Sequence, residues 1–235
     1  MGLDRCYLPG FEVGRPCHLD GDEARHLARV RRVEVGAEVE VFDGRGRAAV
    51  ARVVALGRDR VDLAPLRELA REREPRVRLT LATAIPKGDR FDWLVEKATE
   101  LGVARVIPLI TERSTVDPRS AKLDRLRRSV IEACKQSRRD DLMPIDDPVR
   151  WDRWLTGLGS ATLHRLVAHP GGIDLSAAPP VVEGGQVVVA IGPEGGFSDR
   201  EVEQAGAAGC TLIGLTPSTL RIETAGLAVA ARLLL

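Results

Sequence analysis

The spacing of hydrophobic and polar positions changes along the chain, and each spacing predicts a type of element. In the first 68 residues short strands predominate: Glu38-Val39-Glu40-Val41-Phe42 alternates polar and apolar side chains, as a half-buried strand does. Asp43-Gly44 then predicts a hairpin turn, and residues 47–56 the returning strand. Further strands are predicted at residues 5–8 and 61–63, and a short helix at residues 20–30, with Asp20 and Glu23 at capping-box spacing.

From residue 78 onward, strands alternate with amphipathic helices. A strand at 78–85 precedes a helix whose apolar residues recur at helical spacing from Phe91 to Leu101, and Gly102 ends it. Strands are also predicted at 103–110, 163–168, 186–191 and 211–215, and helices at 119–139, 147–158, 198–208 and from 222 onward. This alternation predicts an α/β fold with a mostly parallel sheet. We predict two domains, residues 1–70 and 75–235, with the boundary near Pro75.

Three of the predicted strands end in loops rich in glycine and proline. They are His169-Pro170-Gly171-Gly172, the loop Gly192 to Gly196, and Thr216-Pro217-Ser218. Glycine lets a ligand approach the backbone directly, and ligands of open α/β sheets bind at the carboxyl ends of strands. Arg221 and Glu223 at the start of the last helix need partners or a function if they lie close to these strand ends. Ordinary strand-to-helix turns use the same glycine and proline residues, and this alternative stays open.

Composition narrows the class of protein. The 235 residues include 44% hydrophobic and 29% charged ones, which is typical of a globular protein. No apolar run reaches the ~20 residues of a membrane span, and the first residues lack the apolar core of a signal peptide, so we expect a cytoplasmic protein. The four cysteines form no C-x-x-C pair and are expected to be reduced.

Basic residues cluster locally although the formal net charge is only +1. Residues 119–139 contain eight basic and two acidic side chains, an excess that suits a phosphate-binding face. A solvated helix face, balanced by Asp140 and Asp141, is the alternative. A second basic cluster surrounds the predicted helix at 20–30, and Lys87 lies in a turn where it is either a phosphate contact or an ordinary surface lysine.

Several common catalytic motifs are missing from the sequence. It contains no G-x-G-x-x-G, no phosphate loop, no H-E-x-x-H and no G-x-S-x-G, and no cluster of residues suggests a metal site. A class of enzyme that the missing motifs do not exclude is one that transfers a group from an activated cofactor and uses few side-chain catalysts. Two other classes also remain: an RNA-binding protein without activity, and a nucleotide-phosphate enzyme that uses residues 192–196 as an anion nest.

Five segments of the chain, taken together and in order, resemble the RsmE family. They are residues 87–102, 107–114, 132–137, 191–197 and 220–225. This family consists of SPOUT-superfamily methyltransferases that modify ring nitrogen 3 of a uridine in small-subunit ribosomal RNA. The N-terminal part resembles the family's PUA-like RNA-binding β-barrel, with His26-Leu27 and Phe42-Asp43-Gly44 in the corresponding places.

The resemblance implies a deep C-terminal trefoil knot, S-adenosylmethionine as cofactor, and a homodimer that binds 16S ribosomal RNA, with no metal. It implies Arg221 as the principal catalytic residue. Because arginine is a poor base, we predict that Arg221 stabilises negative charge on the uracil and that Glu223 is either a base or the group that orients Arg221. The cofactor-binding residues would be Ala168, His169, Gly192, Pro193, Glu194, Gly195, Gly196, Leu215, Leu220, Arg221, Thr224 and Ala225. We expect RNA contacts from Arg5, Arg25, Arg29, Arg32, Lys87, Arg113, Lys135, Gln136 and Arg139.

Two segments depart from the family pattern. Thr216-Pro217-Ser218 stands where the family commonly has Gly-Pro-Arg, so a cation near the site is lost. Ser137-Arg138-Arg139 stands where it often has Ser-Gly-Arg, which adds a positive charge.

Overall fold

The computed structural model describes residues 3–70, 77–116, 120–159 and 163–235. The chain divides into two compact units, Met1–Arg73 with Cys134–Leu142, and Glu74–Ala133 with Met143–Leu235. Pro75, the predicted boundary, and Arg119, the predicted start of a helix, lie outside the described residues. Of the helices described, none is both long and apolar enough to span a membrane.

The first unit is built on a five-stranded sheet with the order β1-β3-β4-β5-β2. Strands β1 and β3 pair in parallel and the other neighbours pair antiparallel. Side chains such as Val39, Val41 and Leu63 form its buried core together with Leu27. Its elements are β1 (Arg5–Tyr7), β2 (Cys17–Asp20), α1 (Gly21–Arg25) with a π turn (His26–Val30), β3 (Glu38–Phe42), β4 (Ala48–Leu56) and β5 (Arg60–Glu68).

The hairpin predicted at Asp43-Gly44 is confirmed, but the capping box predicted at Asp20 is wrong. Gly44 has a φ of +76°, and the Asp43 carboxylate accepts hydrogen bonds from the backbone N–H groups of Arg45 and Arg47. The Asp20 side chain makes no cap hydrogen bond. Glu23 instead accepts a hydrogen bond from Lys135 at 2.7 Å, so a contact distant in sequence replaces the local one.

The second unit is an α/β unit whose six-stranded parallel sheet has the order β11-β9-β10-β6-β7-β8. Helix α6 packs against β6, β10 and α2. The elements are β6 (Val77–Ala84), α2 (Arg90–Glu100), β7 (Arg105–Ile110), α3 (Ser120–Ser137, whose last residues belong to the first unit), β8 (Val149–Arg150), α4 (Trp151–Thr156), β9 (Leu163–Asp174), a 3-10 turn (Leu175–Ala177), β10 (Gly185–Ile191), α5 (Asp199–Ala207), β11 (Thr211–Gly214) and α6 (Ile222–Leu234).

Strand β10 lies inside this sheet, and its sequence explains why. Its last five residues are apolar and buried, and it pairs with β6 on one side and β9 on the other, with Val189 opposite Leu81 and Leu166. A strand covered on both faces favours a continuous β-branched run over an alternating pattern. The carboxyl ends of β9, β10 and β11 therefore lie side by side at one edge of the sheet.

Residues 169–172, predicted to be a loop after a strand, form a bulge within a longer strand: pairing with β10 ends at Ala168, and pairing with β11 passes from Val167 to Ile173. Strand β9 continues through these residues to Asp174 and pairs with β11. The register shifts where the pairing passes from Leu212–Val167 to Ile213–Ile173. A Cβ atom on Gly172 would lie 2.4 Å from the backbone nitrogen of Ile213, so the close approach of the two strands requires a residue without a side chain.

Candidate functional site

A cavity of about 510 Å³ opens in the second unit where the ends of β9, β10 and β11 meet. Its walls come from the strand ends, the loops that follow β10 and β11, and the first turn of α6. The lining residues are Arg113, Ala168, His169, Pro170, Ile191, Gly192, Pro193, Glu194, Gly195, Gly196, Phe197, Asp199, Ile213, Leu215, Thr216, Pro217, Ser218, Thr219, Leu220, Ile222 and Ala225. A cavity of this size at a sheet's carboxyl edge is typical of a small-molecule site.

The loop after β10, which we call the glycine loop (residues 192–198), forms one wall. A Cβ atom on Gly192 would lie 3.0 Å from the ring of Phe197, so this side chain can fold back only over a glycine. Gly196 has a φ of +69° and donates its N–H to the carbonyl of Pro193 at 2.8 Å, which closes a tight turn. The loop ends in the predicted capping box of Ser198 and Glu201, which is confirmed and begins α5.

His169 lines the cavity with a defined hydrogen bond. Its Nδ1 accepts the backbone N–H of Gly171 at 3.1 Å. An accepting Nδ1 carries no proton, so in the neutral imidazole the proton resides on Nε2. His169 is thereby a hydrogen-bond donor through Nε2.

Most of the residues expected to bind the cofactor meet around this cavity, and two do not reach it. Neither Arg221 nor Thr224 is among the described residues that line it; both are exposed residues at the start of α6. Arg221 is the N-cap of α6, between the lining residues Leu220 and Ile222, so it lies at the rim. The expected residues that do line the cavity are Ala168, His169, Gly192, Pro193, Glu194, Gly195, Gly196, Leu215, Leu220 and Ala225.

Glu223 occupies a different environment from the one expected of a catalytic base. It is 6% exposed, and the described lining of the cavity does not include it. Its Oε1 lies 3.9 Å from Nε of Arg90, and among the described residues no group hydrogen-bonds to Oε2. The carboxylate is therefore buried beside Arg90 and outside the described cavity lining.

Arg5 and Lys135, which were expected to contact RNA, make ion pairs inside the first unit. Arg5, with a side chain only 4% exposed, pairs with Glu40 at 2.7 Å and with Asp140. Lys135 pairs with Glu23 at 2.7 Å. Each of these two cations is therefore neutralised by a carboxylate of the same unit, and an RNA contact from them stays a prediction.

The other residues expected at RNA are nearer to solvent. Arg25 pairs with Asp22 and lies 3.6 Å from Asp59, and Arg139 pairs with Asp141 at 3.1 Å. Exposed positions are held by Arg29, Arg32, Lys87, Arg113 and Gln136. Arg113 is also part of the cavity wall, a position that its motif, Thr111-Glu112-Arg113-Ser114, did not indicate.

Within residues 3–70, 77–116, 120–159 and 163–235, no group of three or more His, Cys, Asp or Glu side chains could hold a metal ion.

Comparisons with known proteins agree with this architecture. An RNA methyltransferase domain family matches residues 72–234, and an RNA methyltransferase PUA domain family matches residues 19–66. Ribosomal RNA small subunit methyltransferase E of Synechocystis is 33% identical over 206 residues, covering 86% of this chain and 67% of that protein. The Mycobacterium bovis protein of the same name is 31% identical, covering 91% of this chain and 84% of its own.

Solved structures resemble the whole chain. The crystal structure of a ribosomal RNA small subunit methyltransferase E from Neisseria gonorrhoeae, bound to S-adenosyl methionine, has a TM-score of 0.91 and 33% identity, and covers 98% of this chain and 96% of its own. A putative methyltransferase from Legionella pneumophila, in complex with the same cofactor, also has a TM-score of 0.91, with 30% identity over 99% of this chain and 97% of its own. With its two domains matched, this chain belongs to the ribosomal RNA small subunit methyltransferase E family, the RsmE family of RNA methyltransferases.

Proposed function

We propose that this protein transfers a methyl group from S-adenosylmethionine to ring nitrogen 3 of a uridine in 16S ribosomal RNA of the small subunit. The observation that carries the proposal is the glycine-walled cavity at the ends of β9, β10 and β11. It occurs in a chain that superposes with a TM-score of 0.91 on a relative bound to that cofactor.

The residues of the cavity suit this cofactor. Gly195 and Gly196 leave backbone groups uncovered on the wall, and Gly192 leaves the room in which Phe197 packs. Glu194 and Asp199 bring carboxylates to the lining, which complement a positively charged ligand. Bound there, the cofactor supplies an electrophilic methyl group on its sulfonium sulfur. The residues of the cavity contribute alignment, which is the main catalytic term for an in-line displacement.

Arg221 is the residue that we propose acts on the uracil. It is exposed at the cavity rim, so its guanidinium is accessible to an RNA base. Arginine stays protonated and is a poor base, but its five donors stabilise negative charge that spreads onto the uracil carbonyl oxygens when nitrogen 3 loses its proton to water. The carboxylate of Glu223 lies outside the cavity and has Arg90 as its neighbour, so we assign it no proton transfer.

We extend the proposal to the knot and to the assembly. The strand order places β11 at an edge, yet the following helix α6 packs against β6, β10 and α2, so the chain end crosses back past β9. This path supports a C-terminal trefoil knot of the SPOUT type.

The PUA match supports RNA binding by the first unit, a small β-barrel under this proposal, with residues 1–70 as RNA-binding domain and 75–235 as methyltransferase domain. A homodimer, which the resemblance to the family implies, is also part of the proposal.

The test is methyl transfer from labelled S-adenosylmethionine to small subunits purified from a strain that lacks this protein, followed by mapping of the modified base. We expect one labelled uridine, methylated at nitrogen 3. Arg221→Ala should abolish transfer while calorimetry shows nearly unchanged cofactor binding. RNA binding without transfer would favour an assembly factor, and binding of ATP in place of S-adenosylmethionine would favour a nucleotide-phosphate enzyme.

A further inference from the structure

The turn that follows β7, Thr111 to Ser114, is hydrogen-bonded to the glycine loop. Arg113 donates from Nη1 to the carbonyl of Gly195 at 2.8 Å and to the carbonyl of Phe197 at 3.3 Å. The aliphatic part of its side chain lies against Gly195, where a Cβ atom would be 3.4 Å from Cδ of Arg113. One guanidinium therefore joins two carbonyls of the loop that walls the cavity.

A buried carboxylate makes a second connection between the same two segments. Glu201, which is 4% exposed, accepts the backbone N–H of Glu112 at 2.8 Å and that of Ser198 at 2.9 Å. Ser198 in turn donates its hydroxyl to the Glu112 carboxylate at 2.8 Å. Hydrogen bonds to charged groups are the strong ones, so this end of the glycine loop is fixed to the turn after β7.

The turn is itself braced, and the loop has a support on another side. The Ser114 hydroxyl oxygen accepts the backbone N–H of Thr111 at 2.9 Å. The Phe197 ring packs on Trp151 of α4, with ring centroids 4.7 Å apart. Arg113 is the part of this arrangement that reaches the middle of the loop, at Gly195, where glycine residues lose the most conformational freedom on ordering.

We propose that Arg113 is a positioning residue for the cofactor: by holding the carbonyls of Gly195 and Phe197, it sets the glycine loop in its binding conformation before the cofactor arrives. The proposal rests on the proposed function of the cavity. A preformed loop lowers the entropic cost of binding, so the contribution of Arg113 falls on cofactor affinity. Arg113 was expected at RNA, and an RNA phosphate contact is the competing outcome that the experiment separates.

The substitution Arg113→Lys distinguishes the positioning role from an RNA contact. Lysine keeps the positive charge, but its side chain is one atom shorter and its ammonium is not held in a plane, so it does not place a nitrogen where Nη1 of Arg113 contacts both carbonyls. An electrostatic contact with RNA survives Arg113→Lys in large part, whereas the positioning role does not. Arg200 of α5, exposed and outside the described cavity lining, provides the matched control as Arg200→Ala.

The experiment measures the Kd for S-adenosylmethionine by calorimetry without RNA, for the wild-type chain, Arg113→Lys, Arg113→Ala and Arg200→Ala. We expect both Arg113 variants to raise the Kd about tenfold or more, and Arg200→Ala to leave it within about twofold. With small subunits, both Arg113 variants should raise the KM for S-adenosylmethionine, whereas Arg200→Ala should keep kcat and KM within about twofold of wild type. Thermal melting checks that each variant is folded, and Arg113→Gln replaces Arg113→Ala if the latter is not.

Three results are decisive against one or the other proposal. A wild-type Kd in Arg113→Lys overturns the positioning role. An unchanged cofactor Kd in both variants, with a higher KM for small subunits and a weaker salt dependence, assigns Arg113 to RNA instead. If the wild-type chain itself does not bind S-adenosylmethionine, the proposed function fails, whatever the variants show.

Discussion

Arg138 donates from Nη1 to Oε2 of Glu40 at 2.9 Å, although its own backbone has a φ of +60°. Glu40 is buried and also pairs with Arg5. The left-handed conformation is one that glycine adopts freely and that costs other residues about 1 kcal/mol or more. Here an ion pair with a buried carboxylate offsets the strain of the left-handed backbone.

Glycine at position 138 should therefore be tolerated better than alanine. Both substitutions remove the ion pair, but only Arg138→Gly removes the strain, so we expect Arg138→Gly to be more stable than Arg138→Ala by about 1 kcal/mol. Urea unfolding measures the difference. Arg128, an exposed position in the middle of α3, is the control: there Arg128→Ala should be more stable than Arg128→Gly by about 1 kcal/mol. Equal stability of the two position-138 variants would contradict the strain argument.

Removal of the Arg5 side chain should destabilise the protein strongly. Arg5→Ala removes the cation that the buried carboxylates of Glu40 and Asp140 share, although Arg138 still pairs with Glu40. We expect a loss of about 3 kcal/mol or more in the free energy of unfolding, measured in urea. The exposed Arg29 is the control, and Arg29→Ala should change stability by less than about 0.5 kcal/mol. Wild-type stability of Arg5→Ala would reopen the possibility of a surface role for this residue.

Alanine at Gly172 should disrupt the pairing of β9 with β11. The added Cβ atom would overlap the backbone of Ile213, and backbone cannot move aside as a flexible side chain can. We expect a loss of about 3 kcal/mol or more in stability, together with weaker cofactor binding by calorimetry, because the overlap lies at the cavity edge. At the neighbouring Gly171, a Cβ atom would approach only the ring of His169, at 3.4 Å, so Gly171→Ala should be mild. Comparable effects of the two variants would refute this explanation.

The Cys6 thiol should make stability fall at alkaline pH. Burial, aided by the nearby Glu23 carboxylate, raises the pKa of Cys6 from 9.0 to about 12. Between these two values the unfolded chain loses the thiol proton while the folded chain keeps it, so the free energy of unfolding decreases with pH. The slope from this one group is at most about 1.4 kcal/mol per pH unit.

Cys6→Ala supplies the comparison for this pH effect. It should be less stable than wild type at pH 8 through lost packing, yet its stability should fall less steeply between pH 9 and pH 11. Parallel pH curves for the two proteins, measured by urea unfolding, would exclude Cys6 as a source of the slope.

The sequence alone determined the elements whose causes are local. The alternation at Glu38–Phe42, the buried run of β10, the turn at Asp43-Gly44 and the capping box of Ser198 and Glu201 depend on residues within a few positions of one another. Periodicity and cap chemistry act over that range, and they predicted the alternating strands and helices of the α/β unit. The glycine and proline residues of the loops after β10 and β11 also indicated where the ligand site lies.

Only the tertiary structure decided which partners these residues meet. The segment Cys134–Leu142 belongs to the first unit, where Asp140 pairs with Arg5, 135 positions earlier in the chain. The path of β9 through Gly172 depends on the approach of β11. Glu223 of α6 lies beside Arg90 of α2, which is far from it in the sequence. A basic or acidic residue has the same local signature whether it faces solvent, a ligand or a buried ion of opposite charge. Long-range packing makes that choice, because burial sets the cost of each charge and the available partner offsets it.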